Sequence, residues 1–140
     1  MDFKSVSGVL FSEDQTHVLL ILRRDVPVWV LPGGGVDPGE TPEEAIVRGI
    51  LEETGVCVKV SRYIGAYTPI NRLARPTLLY ECSYLSGALK NSKETRDVRF
   101  WPLEKLPPLP PPYEEWIQDA RLNVPPLQKH LTSVTYRRLI

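Results

Sequence analysis

The sequence predicts an α/β fold in a single domain spanning residues 1–140, and three observations carry that prediction. Strand-like and helix-like segments alternate over the first hundred residues. One segment carries both a helix-start and a helix-stop signal. The chain has 140 residues, near the roughly 150 expected of one domain, so it can bury a core but not build a second fold. Its composition of 42% hydrophobic, 24% charged and 9% aromatic residues is that of a globular protein rather than a disordered one.

In chain order, Val6 to Phe11 and His17 to Arg23 read as strands joined by the polar turn Ser12-Glu13-Asp14-Gln15. Val28 to Leu31 is a short apolar run that stops at Pro32. Gly33-Gly34-Gly35 reads as a breaker and Asp37-Pro38-Gly39 as a turn. Pro42 to Thr54 reads as a helix. Thr41 is its N-cap, Glu44 completes a capping box, Pro42 suits the first helical position and Gly55 ends it. Val56 to Val60, Tyr63 to Tyr67, Thr77 to Tyr84 and Val98 to Trp101 read as further strands, with a polar loop from Leu85 to Glu94. Beyond Trp101 the chain is proline-rich. The cluster Pro107 to Pro112 reads as a stiff connection to a helix from Pro112 to Leu122, whose Glu114 and Glu115 suit the positive end of the helix dipole. Leu127 to Ile140 is ambiguous, because Leu127, Leu131 and Val134 fit a helical stripe while Thr132 to Tyr136 is β-rich.

Composition also excludes classes of function. Seventeen basic and seventeen acidic residues balance, which argues against a coat for nucleic acid or an anionic membrane. The two cysteines, Cys57 and Cys82, lie far apart in apolar surroundings and read as buried thiols, not as a disulfide framework or a metal site. No stretch approaches 18 apolar residues, so no transmembrane helix is expected, and the first ten residues lack the pattern of a signal peptide. The expected address is the cytoplasm.

The acidic residues of the first helix carry the chemistry. Glu52 and Glu53 lie one helix turn beyond Gly49 and are preceded by the loop Gly33 to Gly35. Neighbouring carboxylates beside a glycine-rich loop suit a hard divalent cation, which takes oxygen ligands and bridges to substrate phosphates. The same residues also suit a solvated helix face on which Glu44, Arg48 and Glu52 pair at i,i+4. Spacing alone leaves both readings open.

The order of residues adds a resemblance. Gly34, Glu40, Arg48, Ile50, Glu52, Glu53, Gly55 and Val56 stand at the spacing of the Nudix box, residues 34–56, and the chain closely resembles the Nudix hydrolase family. The flanks Trp29-Val30-Leu31-Pro32-Gly33-Gly34-Gly35 and Phe100-Trp101-Pro102-Leu103 are similar to the family too. The resemblance spans about residues 4 to 107. One position departs: Gly49 stands where the family carries the Glu that follows the Arg. That Glu serves much of the family as a water-activating base or metal ligand, and glycine supplies neither.

The resemblance implies an α/β/α sandwich around a central mixed β-sheet. It implies a metal-dependent pyrophosphohydrolase, using Mg²⁺ or Mn²⁺, that cleaves a nucleoside diphosphate linked to another moiety. Glu52, Glu53 and the Gly33 carbonyl are the implied metal ligands, with Glu53 the firmest. Glu94, in the loop before Phe100, is the implied substitute for the missing carboxylate, as metal ligand, general base or both; Asp97 is the fallback. Arg48 and Glu40 are implied to support the site from behind. Arg23, or alternatively Arg24, is expected to meet a phosphate, and Tyr67 is an open candidate for holding a base. The implied partner is a small nucleotide, with no membrane. Nucleic acid is disfavoured apart from RNA 5′ ends, and a homodimer rests on analogy alone. The rival reading is a module that binds a nucleotide or a protein partner without turnover, and Gly49 is the feature that favours it.

Overall fold

The computed structural model describes residues 3–69 and 75–131. The strands are β1 (Ser5–Leu10), β2 (His17–Arg23), β3 (Trp29–Val30), β4 (Gly33–Gly35), β5 (Val56–Pro69), β6 (Thr77–Gly87), β7 (Thr95–Pro102) and β8 (Leu127–Leu131). Helix α1 (Pro42–Thr54) follows β4, and α2 (Tyr113–Arg121) lies between β7 and β8. They form a mixed five-stranded sheet in the order β4-β1-β6-β5-β8 and a separate antiparallel sheet in the order β3-β2-β7. In the larger sheet β1 runs parallel to β6 and β5 parallel to β8, while the other neighbours are antiparallel.

The strand sequences explain why helices cover both faces. Val18 and Leu20 of β2 enter one apolar cluster, and Leu19 and Ile21 enter the other. On β1, Val6 and Leu10 join the cluster that holds Ala45, Ile46 and Ile50 of α1. Val9 joins the cluster that holds Trp116, Ile117 and Ala120 of α2. A strand buried on both faces needs a nearly continuous apolar run, which β2 has, while β1 meets the same burial with small Ser7 and Gly8 between its apolar residues. Fully burying an isoleucine such as Ile46 or Ile50 contributes about 1.5–3 kcal/mol.

Helix α1 has the bounds its signals predict. The Thr41 side chain accepts from the Glu44 N–H, the Glu44 carboxylate accepts from the Thr41 N–H, and Gly55 closes the helix at φ 82°. Several expectations need correction. Gly33–Gly35 is a strand, β4, paired with β1 through Ser5↔Gly35 and Ser7↔Gly33. The approach is so close that a Cβ on Gly33 would collide with the Val6 carbonyl oxygen. Glycine therefore acts here as a thin strand and not as a breaker. The two strands expected between Val56 and Tyr67 are one, β5, whose register shift against β6 between Val60 and Arg62 absorbs the interruption at Ser61-Arg62. Strand β6 continues through Leu85 to Gly87, so the polar loop is shorter than expected. The ambiguous Leu127 segment begins as strand β8, and the part from 132 onward lies outside the described residues. Among the described residues no helix is long and apolar enough to cross a membrane.

Candidate active site

Helix α1 presents its polar groups beside β4, and Arg48 organises them. Its Nε donates to Glu40 Oε2 at 2.6 Å and its Nη2 to Glu40 Oε1 at 3.0 Å, a two-pronged contact. Nη2 also reaches the Gly35 carbonyl at 2.9 Å, and Nη1 reaches both Glu52 carboxylate oxygens at 3.2 Å. Glu40 in turn accepts from the Asp37 N–H at 2.9 Å. One guanidinium thus ties the 36–40 turn, β4 and the last turns of α1 together. The Arg48 contacts, followed by the Asp37 N–H, hold the Glu40 carboxyl down at about 2. Glu44 is engaged in the helix cap and does not pair with Arg48.

Glu53 has a different environment. Its Oε1 accepts from the Gly33 N–H at 2.8 Å. Burial pushes its carboxyl up to about 7, against the opposing pull of that hydrogen bond, and the nearby Glu94 charge raises it further. Glu53 lines a cavity of about 760 Å³ together with β4, Glu94, Arg23, Arg24 and Tyr113, and its apolar floor includes Ile21, Val30 and Leu31. That volume suits a nucleotide-sized ligand.

The expected site residues divide accordingly. Gly33, Glu53, Glu94 and Arg23 share the cavity. Glu52 does not lie with Glu53; its side chain is 61% exposed and turned to Arg48. Adjacent helical residues point about 100° apart, so the pair cannot share one direction. Arg23 lines the cavity but carries Asp25 on its Nε at 2.9 Å and on its Nη2. Tyr67 is misplaced by the sequence reading. It is fully buried, its hydroxyl donates to Asp119 Oδ2 at 2.8 Å and its ring lies 5.1 Å from that of Trp116, so it belongs to the core under α2. Asp97 pairs with Arg99 at 2.7 Å. Tyr113, Arg75 and Lys93 line the cavity and were not singled out by sequence. Tyr113 opens α2 in the proline-rich segment beyond the box, where no motif marks it.

The departing position faces the same place. A Cβ on Gly49 would stand 3.3 Å from the Gly33 carbonyl oxygen. A side chain there would grow alongside the implied metal ligand, so the missing carboxylate belongs to this cleft and not to the helix surface.

Among the described residues, no three His, Cys, Asp or Glu side chains converge as a metal-binding group. The donors at hand are the Glu53 carboxylate, the Gly33 carbonyl and, across the cavity, Glu94. A half-buried carboxylate pushed up to about 7, with a second acid in the same cavity, is short of a cation. Magnesium keeps several waters and shares phosphate ligands, so this sparse oxygen set fits it. Glu53, Gly33 and Glu94 are the groups that would hold the ion.

A glycine strand lies against a carboxylate-bearing helix and opens onto a cavity lined by arginines, a setting whose chemistry suits phosphate groups. The chain belongs to the NUDIX family, whose domain model matches residues 1–120. A relative named ADP-ribose pyrophosphatase, from Methanocaldococcus jannaschii, is 36% identical over 121 residues, covering 82% of this chain and 70% of that one. A Bacillus subtilis relative named as a putative 8-oxo-dGTP diphosphatase is 54% identical over 59 residues, 42% of this chain. The match spans only 40% of that relative's length. The fold is also that of a crystal structure of a Streptococcus suis ADP-ribose pyrophosphatase, with a TM-score of 0.72 and 23% identity, covering 91% of this chain and 97% of that one.

Proposed function

We propose that this NUDIX protein is a metal-dependent pyrophosphohydrolase, cleaving a phosphoanhydride bond in a nucleoside diphosphate that carries a further group. The observation that carries the reading is the Glu53 carboxylate. It is half-buried, pushed up to about 7, hydrogen-bonded to the glycine strand and shares one cavity with Glu94. The names of the relatives, a pyrophosphatase and a diphosphatase, support the same bond type.

When bound, Mg²⁺ or Mn²⁺ neutralises the diphosphate and lowers the pKa of a coordinated water. The chain's own residues do the rest. Glu53, fixed by the Gly33 N–H, holds its oxygens toward the cavity. Glu94 is exposed and takes the proton of the attacking water as the water oxygen bonds to one phosphorus and the anhydride oxygen leaves with the other phosphoryl group and whatever it carries. Arg23 and Arg24 meet the phosphate charge at the cavity wall. Arg48 acts through Glu40, Gly35 and Glu52 as a positioning residue that keeps α1 and β4 in register.

The test is release of phosphate or nucleoside monophosphate from dinucleoside polyphosphates, nucleoside triphosphates and nucleotide sugars, with excess Mg²⁺ or Mn²⁺. Turnover that requires the metal and vanishes in Glu53→Gln is the expected result. No turnover above that control on any compound would sink the hydrolase reading. Gly49 favours a second reading, a module that binds a nucleotide without cleaving it. It predicts tight binding with no turnover in the natural chain and turnover restored by Gly49→Glu. An RNA 5′ end is the one nucleic-acid substrate compatible with the balanced charge, and a cytoplasmic homodimer is the accompanying proposal by family analogy.

A further inference from the structure

The cavity beside Glu53 is lined by four cationic side chains and three acidic ones. Arg23, Arg24, Lys93 and Arg75 line it, from three separate stretches of chain. Arg23 is matched by Asp25. Arg24 is held in place without being neutralised. Its Nε donates to the Ser92 carbonyl at 2.9 Å and its backbone N–H to the Glu94 carbonyl at 3.0 Å, which fixes it against the loop that bears Lys93. Among the described residues neither Lys93 nor Arg75 has a carboxylate within ion-pairing distance. The remaining acids of the wall, Glu53 and Glu94, are the proposed partners of the divalent ion.

Three like charges around one cavity, with no carboxylate partner among the described residues, favour an anion that joins them. Arginine grips phosphate oxygens in pairs, and lysine meets them as a point charge. A neutral sugar asks for something else. Its hydroxyls both donate and accept, and they are served well by amides and imidazoles. The described lining holds no Asn, Gln or His, and its hydroxyls are those of Ser5, Ser7 and Tyr113, so cations outnumber the neutral groups that would pair with a sugar.

We infer that Arg24, Lys93 and Arg75 form a subsite for a terminal phosphate, so that the preferred substrate is a nucleoside polyphosphate with a free phosphate end and not a nucleoside diphosphate capped by a sugar. The inference rests on the hydrolase reading above for its catalytic consequence, but the subsite itself is a binding property and can be read without turnover.

The experiment compares natural chain, Lys93→Gln, Arg75→Gln and the double variant on two ligand types with the same base. Turnover is measured on a nucleoside triphosphate and on the matching nucleoside diphosphate sugar. Binding is measured by calorimetry with Mg²⁺ and two non-hydrolysable analogues, the α,β-methylene triphosphate and a methylene-linked diphosphate sugar. The natural chain is expected to favour the triphosphate by about 10-fold or more. Each variant is expected to raise KM and Kd for the triphosphate by about that factor, leaving the sugar within about 2-fold, and the loss should shrink at high salt. A natural chain that prefers the sugar, equal losses on both ligands, or no binding of the triphosphate analogue would each overturn the inference. Binding that depends on Lys93 and Arg75 in a chain that hydrolyses nothing would keep the subsite and remove the hydrolase reading. Turnover that both variants leave unchanged would do the reverse.

Discussion

On the α1 side of the sandwich, the polar groups that matter stand at the surface and in the cavity. Arg48 gathers Glu40, Glu52 and the Gly35 carbonyl where water still reaches them, and the Glu52 side chain is mostly exposed. On the α2 side they stand inside. Asp119 is 5% exposed and accepts from the Tyr67 hydroxyl at 2.8 Å and from Lys129 Nζ at 2.9 Å, beneath Trp116. An ion pair in water contributes little to stability, whereas a buried polar group becomes costly when its partner is removed. The α1 face can therefore present charge to a ligand. The α2 face holds the end of β5 and β8 to the core.

If this division holds, the two sides must respond oppositely to mutation. Glu53→Gln is expected to have the largest effect, on turnover: a loss of about 10³-fold or more, from several kcal/mol of charge stabilisation at the metal. The metal-free fold should become more stable at the same time. The folded Glu53 carboxyl titrates near 7 against 4.5 for its ordinary value, so the fold binds its proton more tightly than the unfolded chain does. Stability is then lost as pH rises from 4.5 to 7, and the cost stays above 7, on the order of 3 kcal/mol. Glutamine keeps an acceptor for the Gly33 N–H and carries no charge. Melting in chelator should show Glu53→Gln above the natural chain at pH 8 and close to it at pH 4. A lower melting point at pH 8 would break the comparison on its α1 side.

The opposite test is Trp116→Ala, which should cost about 3–5 kcal/mol by emptying the contact with Tyr67 and Tyr113. Chemical denaturation reads that loss directly. The expected activity of the folded fraction is ordinary in its metal dependence, because the ring lies in the core and not in the cavity. A fully stable variant with an altered metal requirement would mean that α2 supports the chemistry and not only the fold.

The legible parts of the molecule are those where one signal is local and unopposed. Helix α1 is such a case: Thr41, Pro42, Glu44 and Gly55 each act within a turn of the helix they delimit, and the observed ends agree. The motif spacing likewise placed Gly33 and Glu53 together, and the choice of Glu94 in the following loop placed a second acid in their cavity. Where tertiary approach decided the outcome, local chemistry misled. Gly33 to Gly35 is flexible as a peptide and a strand only because β1 offers it a partner. Tyr67 resembled a site residue because its neighbours in sequence are a strand end and a proline. Its actual partner, Asp119, is 52 residues away and no local pattern announces it. Arg75, Lys93 and Tyr113 are ordinary loop or helix-start residues that meet only in the folded chain.

A smaller effect concerns acid. The Glu40 carboxyl, held at about 2 by Arg48, gives stability that is complete above its ordinary value near 4.5 and lost as pH falls toward 2. Glu40→Gln should therefore melt below the natural chain at pH 7 and match it near pH 2, with the gap closing across that window. A gap that persists in acid would mean that Glu40 acts through packing. Because the pair is near the surface, the gap should also narrow in high salt, unlike the loss from Trp116→Ala.

The smallest stability effect is expected at Gly49, and it bears most directly on the chemistry. Alanine there gains about 1 kcal/mol of helix propensity. Against this, its Cβ meets the Gly33 carbonyl oxygen at 3.3 Å, so that oxygen must give way by a few tenths of an ångström. Strand β4 has little room to retreat, since Gly33 already lies against the Val6 carbonyl on its other side. The two terms should nearly cancel in the melting temperature, leaving a shift within about 3 °C. They should not cancel in activity, because the displaced atom is an implied metal ligand, and turnover should fall several-fold with a weaker response to Mg²⁺. Gly49→Glu carries the same Cβ and adds a carboxylate, so Gly49→Ala is its proper reference. Turnover in Gly49→Glu above Gly49→Ala but below the natural chain would mean that the chain has adapted to glycine, with Glu94 doing the work of the absent acid. Turnover above the natural chain would mean that the site was limited by one missing oxygen donor, and the metal titration of the two variants would show whether it acts on the ion or on the water.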